Sequence, residues 1–119
     1  MASFLVVDDS VFMRIVIKNV LEEAGHKVIA EASNGLEAVR KYIDFSPDIV
    51  TMDITLERMT GIEALREIKK INQNAKVIMC SSVAHQYKVM EALRAGAIDF
   101  IPKPINKGKL IDIIARVNT

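Results

Sequence analysis

Three carboxylates, a hydroxyl and an ammonium stand out because each follows a short apolar run. Asp8 and Asp9 follow Phe4-Leu5-Val6-Val7, and Asp53 follows Ile49-Val50-Thr51-Met52. Ser81 comes after Val77-Ile78-Met79-Cys80, and Lys103 after Phe100-Ile101-Pro102. Carboxylates gathered in one place repel one another, so without a cation at least one would have a raised pKa. A hard divalent ion with oxygen ligands removes that conflict, and Mg²⁺ suits a site that supplies few protein oxygens and keeps waters. The ion and Lys103 would then form a positive cradle around Asp53, with Ser81 as a neutral donor. Those parts meet the needs of phosphoryl transfer, in which one carboxylate attacks in line while metal and donors neutralise the equatorial oxygens. The chemistry they point to is an aspartate that accepts a phosphoryl group and becomes an acyl phosphate.

Such a cluster requires a fold that gathers strand ends from positions nearly a hundred residues apart. Ser10 to Ala24 reads as a helix whose charges Arg14, Lys18 and Glu22 share one solvent-facing stripe, and Gly25 supplies its left-handed cap. Val28 to Ala30 make a second strand, and Asn34-Gly35 reads as a turn. A second helix is expected to bury Leu36, Val39 and Ile43 and to keep Glu37, Arg40, Lys41 and Asp44 wet. Ser46-Pro47-Asp48 breaks it. After the third strand a loop runs to Gly61, and Ile62, Leu65 and Ile68 mark the inward face of a third helix. A fourth helix is expected from about Gln86 to Ala95, closed by Gly96. Leu110, Ile113, Ile114 and Val117 face inward from a fifth. Strands that are apolar on consecutive residues are buried on both faces, as in a parallel sheet. Five such β-α repeats predict a doubly wound α/β fold, with every strand's C-terminal end on one edge of the sheet, where ligands bind.

Composition narrows the class. The chain has 119 residues, half of them hydrophobic, with sixteen basic and fifteen acidic side chains and a formal net charge of +1. It is too apolar for disorder, and its charge does not mark a nucleic-acid binder. No apolar run approaches the roughly 18 residues of a membrane span. Asp8 and Asp9 interrupt the only apolar N-terminal stretch, so no secretory signal is expected. A single cysteine fits a reducing cytoplasm. One domain, residues 1–119, is expected, with no output domain in the chain.

Taken singly, the site residues have plainer readings. Asp9 can cap the helix that starts at Ser10, and capping can coexist with metal binding. Asp53 can be a loop residue, Ser82 can take the role of Ser81, and Lys103 can be a solvated turn lysine. The constellation at four strand ends is more specific than any member. Cys80 reads as a small buried side chain, His26 and His85 as surface or loop residues, and the methionines mostly as core filler. No phosphate-binding glycine loop occurs.

The stretches "LVVDDSVFMR", "EASNGLEAV", "PDIVTMDI", "MTGIEALREIK", "VIMCSS" and "AGAIDFIPKP" together resemble the receiver domain of two-component response regulators. The resemblance spans essentially the whole chain. It implies a flavodoxin-like sheet of order 2-1-3-4-5 with five helices. It implies Asp53 as phosphoacceptor, Asp9 as direct Mg²⁺ ligand, Asp8 acting mainly through water, and Thr55 offering its backbone carbonyl. Ser81 matches the hydroxyl residue that moves toward the phosphoryl group, Lys103 the family's lysine before a cis proline, and Phe100 the aromatic switch. Such domains are signalling switches that catalyse only their own phosphorylation and dephosphorylation. Three positions depart from the pattern. Glu57 stands where a proline is usual, Pro102 precedes Lys103, and Phe100 replaces a tyrosine.

The near-zero net charge is a cancellation. Residues 1–82 carry ten basic and twelve acidic side chains, a net of −2, and residues 83–119 carry six and three, a net of +3. The basic part covers the fourth helix, fifth strand and fifth helix, which the resemblance makes the output face. Lys88, Lys107 and Lys109 around Phe100, with Tyr87, Met90 and Ile111, are expected to bind an acidic target peptide. The implied partners are a histidine kinase, a target such as the flagellar motor switch, and a phosphatase; a monomer is expected. A phosphorelay shuttle, or the receiver part of a larger regulator such as a chemotaxis methylesterase, would use the same chemistry. An aspartyl-phosphate phosphatase of the haloacid dehalogenase type would need an aspartate at position 55, where Thr55 stands. A flavin carrier is disfavoured because the acidic pair would repel the flavin phosphate.

Overall fold

Runs of consecutive apolar residues become strands because both faces of the sheet are covered. In the computed structural model, residues 1–118 are described, the side chain of Val83 excepted. The strands are β1 (Ser3–Val7), β2 (Lys27–Ala32), β3 (Ile49–Asp53), β4 (Lys76–Ser81) and β5 (Asp99–Pro102). All neighbours pair in parallel, in the order β2-β1-β3-β4-β5. The helices are α1 (Val11–Glu23), α2 (Gly35–Phe45), α3 (Gly61–Ile71), α4 (Val89–Arg94) and α5 (Lys107–Val117). Alternate strand residues separate into two cores. Leu5, Val7, Val50, Met52, Val77 and Met79 pack with residues of α2, α3 and α4. Phe4, Val6, Ile49, Ile78, Cys80 and Ile101 pack with residues of α1 and α5. This is the doubly wound, flavodoxin-like fold with five helices.

Side-chain caps decide where helices begin. Ser10 Oγ accepts the Met13 N–H, Asn34 Oδ1 accepts that of Glu37, and Asn106 Oδ1 accepts that of Lys109. Thr60 and Glu63 form a reciprocal capping box at α3. Each such cap contributes about 1 kcal/mol to stability. Gly25 and Gly96, at φ of 89° and 109°, follow the ends of α1 and α4 in the left-handed region.

Four expectations are corrected. Asn34-Gly35 is not a turn but the start of α2. That helix buries Gly35, Ala38 and Tyr42, one position out of phase with the expected Leu36, Val39 and Ile43, of which Leu36 and Ile43 are exposed. The reason is close approach: a Cβ at Gly35 would lie 2.0 Å from the Met59 carbonyl oxygen. Such contact selects small residues for the inner face, whatever the hydrophobicity of their neighbours. The expected fourth helix begins as a 3-10 helix over Val83–Lys88 and becomes α-helical only at Val89. Arg14 is not a wet residue of the α1 stripe; it turns inward, as described below.

Candidate functional site

The C-terminal ends of β1, β3, β4 and β5 meet on one edge of the sheet, and the predicted side chains meet there. Asp8, at the end of β1, is 1% exposed, and Asp53, the last residue of β3, is 4% exposed. Lys103, just past β5, reaches between them. Its Nζ donates to Asp8 Oδ2 at 2.8 Å and to Asp53 Oδ2 at 3.1 Å. Asp9 is exposed at the rim. One carboxylate oxygen from each of Asp8, Asp9 and Asp53 lies within 4.8 Å of the others.

The other oxygens of the two buried carboxylates are also held. Asp8 Oδ1 accepts the Ser10 N–H at 2.9 Å. Asp53 Oδ1 accepts the Thr55 N–H at 3.2 Å, with the Thr55 hydroxyl at 3.5 Å. Burial pushes the Asp53 carboxyl up from its ordinary range; Lys103 opposes that shift and Asp8 reinforces it. Burial pulls Lys103 down, but its bonds and charge contacts with Asp8 and Asp53 outweigh burial and leave the ammonium raised. Lys103 is therefore a firmly charged counter-ion, shared by two carboxylates that would otherwise repel.

Ser81 is buried at the end of β4, and its hydroxyl donates to the Ser82 carbonyl at 3.0 Å rather than to Asp53. Phe100 is half-buried and packs against the α2–α3–α4 core. Pro102 lies on the edge strand opposite Ser81 and costs the ladder no bond, because the Lys103 N–H is the one that donates to the Ser81 carbonyl, at 2.7 Å. The Lys103-Pro104 bond is cis. The loop after Asp53 is pinned at both ends. Gly61 N–H donates to the Ile54 carbonyl, and a Cβ at Gly61 would sit 1.9 Å from the Asp53 carbonyl oxygen, so only glycine fits. Leu36 N–H donates to the Arg58 carbonyl. Between these pins Arg58 and Met59 take φ of 50° and 87°, a strained backbone for non-glycine residues. Glu57, where a proline is usual, points its charge into solvent.

The residues expected on the output face differ in exposure and in partners. Tyr87 (74% exposed), Met90, Leu93 and Ile98 are exposed around α4, and Lys88 lies 5.8 Å from the Tyr87 ring centre. Lys109 lines a groove with Phe100, Pro102, Asp112 and Arg116. Lys107 instead pairs with Glu23 of α1. Ile111 is half-buried and packs on the α1–α5 core. Cys80 is fully buried, and burial pushes its thiol up to about 12. Sequence reasoning missed Arg14, whose Nη1 donates to the Asp8 carbonyl at 2.7 Å and whose Nε donates to Glu31 at 3.1 Å. The only signal was its place one turn into the helix that follows the acidic pair, and the periodicity of α1 hid it among the exposed charges.

Fold and site define a doubly wound α/β domain with an acidic, lysine-bridged cluster at the C-terminal edge of its sheet. The chain belongs to the response regulator receiver domain family, whose pattern matches residues 4–115. It is 49% identical over 114 residues to the chemotaxis protein CheY of Thermotoga maritima, covering 96% of this chain and 95% of that protein. Among solved structures it resembles a CheX-CheY complex with BeF3 and Mg²⁺ from Borrelia burgdorferi. The TM-score is 0.93 at 37% identity, covering 98% of this chain and 89% of that one. It also resembles the response regulator domain of Thermotoga maritima CheB, with TM-score 0.89 at 42% identity, over 98% of this chain and 96% of that one. It is a CheY-type receiver of two-component signalling. No helix among the described residues is long and apolar enough to cross a membrane.

Proposed function

We propose that the chain is one receiver domain, residues 1–119, phosphorylated on Asp53 by a histidine kinase to switch a target-binding surface in chemotaxis. The observation that carries this is the Lys103 bridge between Asp8 and Asp53, with the Asp9 carboxylate completing the cluster. An Asp53 oxygen attacks the phosphorus of a phosphohistidine, the P–N bond breaks, and the imidazole leaves with a proton. Water later cleaves the acyl phosphate. Lys103 stays on the charge that develops on the transferred group.

The donor set fits Mg²⁺: three carboxylates give hard oxygens, and the exposed rim leaves room for waters. Asp9, Asp53 and the Thr55 carbonyl would hold it, and Asp8, with one oxygen on Ser10 and the other on Lys103, would act through water. The ion supplies charge neutralisation for the phosphoryl oxygens. Ser81, now turned to Ser82, would turn toward the phosphoryl group, and Phe100 would follow. The exposed Tyr87, Met90, Leu93 and Ile98, with Lys88 and Lys109, would then meet an acidic target such as the flagellar motor switch. The protein would act as a cytoplasmic monomer, with a phosphatase resetting it. A second reading, a phosphorelay shuttle, draws support from the exposed Val11, Phe12 and Ile15 on α1 beside the site, an apolar face a histidine-bearing partner could cover.

The test is phosphorylation with an acyl-phosphate or phosphoramidate donor and Mg²⁺, read by intact mass. Wild type should gain one phosphoryl group and Asp53→Asn none; equal gain by both would overturn the assignment of Asp53. Asp9→Ala should weaken Mg²⁺ more than Asp8→Ala, and the reverse order would invert their roles. Lys103→Ala should keep metal binding yet lose phosphorylation-dependent target binding.

A further inference from the structure

We infer that Arg14 is a positioning residue that aims the Asp9 carboxylate at the divalent ion, an inference that rests on reading the acidic cluster as a Mg²⁺ site. Arg14 lies one turn into α1, yet its guanidinium folds back to the end of β1. There Nη1 donates to the Asp8 carbonyl oxygen at 2.7 Å. On its other side Nε donates to Glu31 Oε1, near the end of β2, at 3.1 Å. Glu31 is itself held, because its backbone carbonyl accepts from Lys41 of α2. The Arg14 side chain is 16% exposed, so this fork is sheltered from competing water.

The consequence follows from the planarity of the peptide unit. The Asp8 carbonyl and the Asp9 N–H share one plane, so a bond that fixes the oxygen also fixes the direction in which the Asp9 Cα departs. Asp8 and Asp53 do not depend on this, since Ser10, Thr55 and Lys103 grip their carboxylates directly. Asp9 is exposed, and among the described residues no side chain or N–H grips its carboxylate. Its aim therefore comes from the backbone alone, and Arg14 holds that backbone. A lysine would keep the positive charge but can reach only one of the two acceptors, because it lacks the planar fork. This separates aiming from charge. The guanidinium charge opposes a cation, so charge removal would tighten Mg²⁺ binding, while loss of aim would weaken it.

The experiment is calorimetric Mg²⁺ titration of wild type, Arg14→Lys, Glu31→Ala and the double variant, with urea unfolding of each metal-free protein. Arg14→Lys should raise the Mg²⁺ Kd about tenfold or more, as removal of a partner behind a metal ligand does. Glu31→Ala should raise it in the same direction. The double variant should bind no more weakly than Arg14→Lys, because both changes act through one contact. An arginine with only a structural role would lower the urea midpoint and leave the Kd of the folded protein unchanged. That result, or additive losses in the double variant, overturns the inference. Failure of wild type itself to bind Mg²⁺ would instead bring down the reading of the cluster, and the inference with it.

Discussion

The imidazole of His26 accepts the Ala2 N–H at 3.0 Å through Nδ1, and its ring meets Phe4 edge-on at 5.4 Å. Protonation would destroy that acceptor, and burial, then the nearby N-terminal ammonium, lowers the pKa below the ordinary histidine value. The folded protein therefore binds a proton at His26 less readily than the unfolded chain does. The stability linked to this group is present above the unfolded value, about 6.5, and is lost as the pH falls through the lowered folded value. Urea midpoints of wild type should thus fall more steeply between about pH 7 and about pH 5 than those of His26→Gln, whose amide oxygen can accept without titrating. Parallel slopes would show that His26 does not carry this dependence. The same residue marks a limit of sequence reading. A lone histidine without metal-ligand spacing looks like surface, and only the pairing of β1 with β2 shows that it closes the N-terminal end of the sheet.

Among the elements, β3 is the central strand and the one whose end carries Asp53, the proposed phosphoacceptor. Its five residues are all buried, but Thr51 Oγ1 finds no hydrogen-bond partner, alone among the buried side-chain polar atoms of the described residues. By strand alternation it faces the α1–α5 core, on the same side as Ile49. An unpaired buried hydroxyl costs about 1–3 kcal/mol relative to one that is satisfied. Thr51→Val keeps the branched shape and removes the hydroxyl, so it should raise the unfolding free energy by about 1 kcal/mol. A lowered urea midpoint in that variant would mean that the hydroxyl is used. The strands themselves were legible because runs such as Leu5-Val6-Val7 leave no polar face to expose. The start of the first helix was legible to within one residue: Ser10, not Asp9, is its cap, with its hydroxyl on the Met13 N–H, and the Asn106 cap of the fifth helix was not singled out. The phase of α2 was not legible, since it depends on how closely Gly35 approaches Met59, a contact between segments far apart in sequence. Nor was the 3-10 start before α4, whose residues have helical periodicity over too short a stretch to set the hydrogen-bond pattern.

At the scale of the whole molecule, the site exists only when the chain is folded. The bonds from Lys103 to Asp8 and Asp53 span 95 and 50 residues of sequence. Strand-end polarity made the members of the cluster legible, and the parallel order of the strands explains why they meet. The unfolded chain has no such cluster, so on the proposed reading Mg²⁺ would bind the native state alone and stabilise it by mass action. At an ion concentration a hundredfold above Kd the gain is about 2.7 kcal/mol. For a domain of this size that corresponds to a rise in Tm of about 10 °C. Asp9→Ala should lose most of the rise while unfolding near the wild-type temperature without metal, because Asp9 is exposed and ungripped. Asp53→Asn should unfold at a higher temperature than wild type without metal, since it removes a buried carboxylate whose raised pKa shows that its charge is unwelcome in the fold. Differential scanning calorimetry with and without Mg²⁺ reads all three proteins. An undiminished metal-dependent rise in Asp9→Ala would take the ion away from the acidic pair. A lower metal-free Tm in Asp53→Asn would show that the Lys103 bridge stabilises the fold by more than the repulsion it relieves.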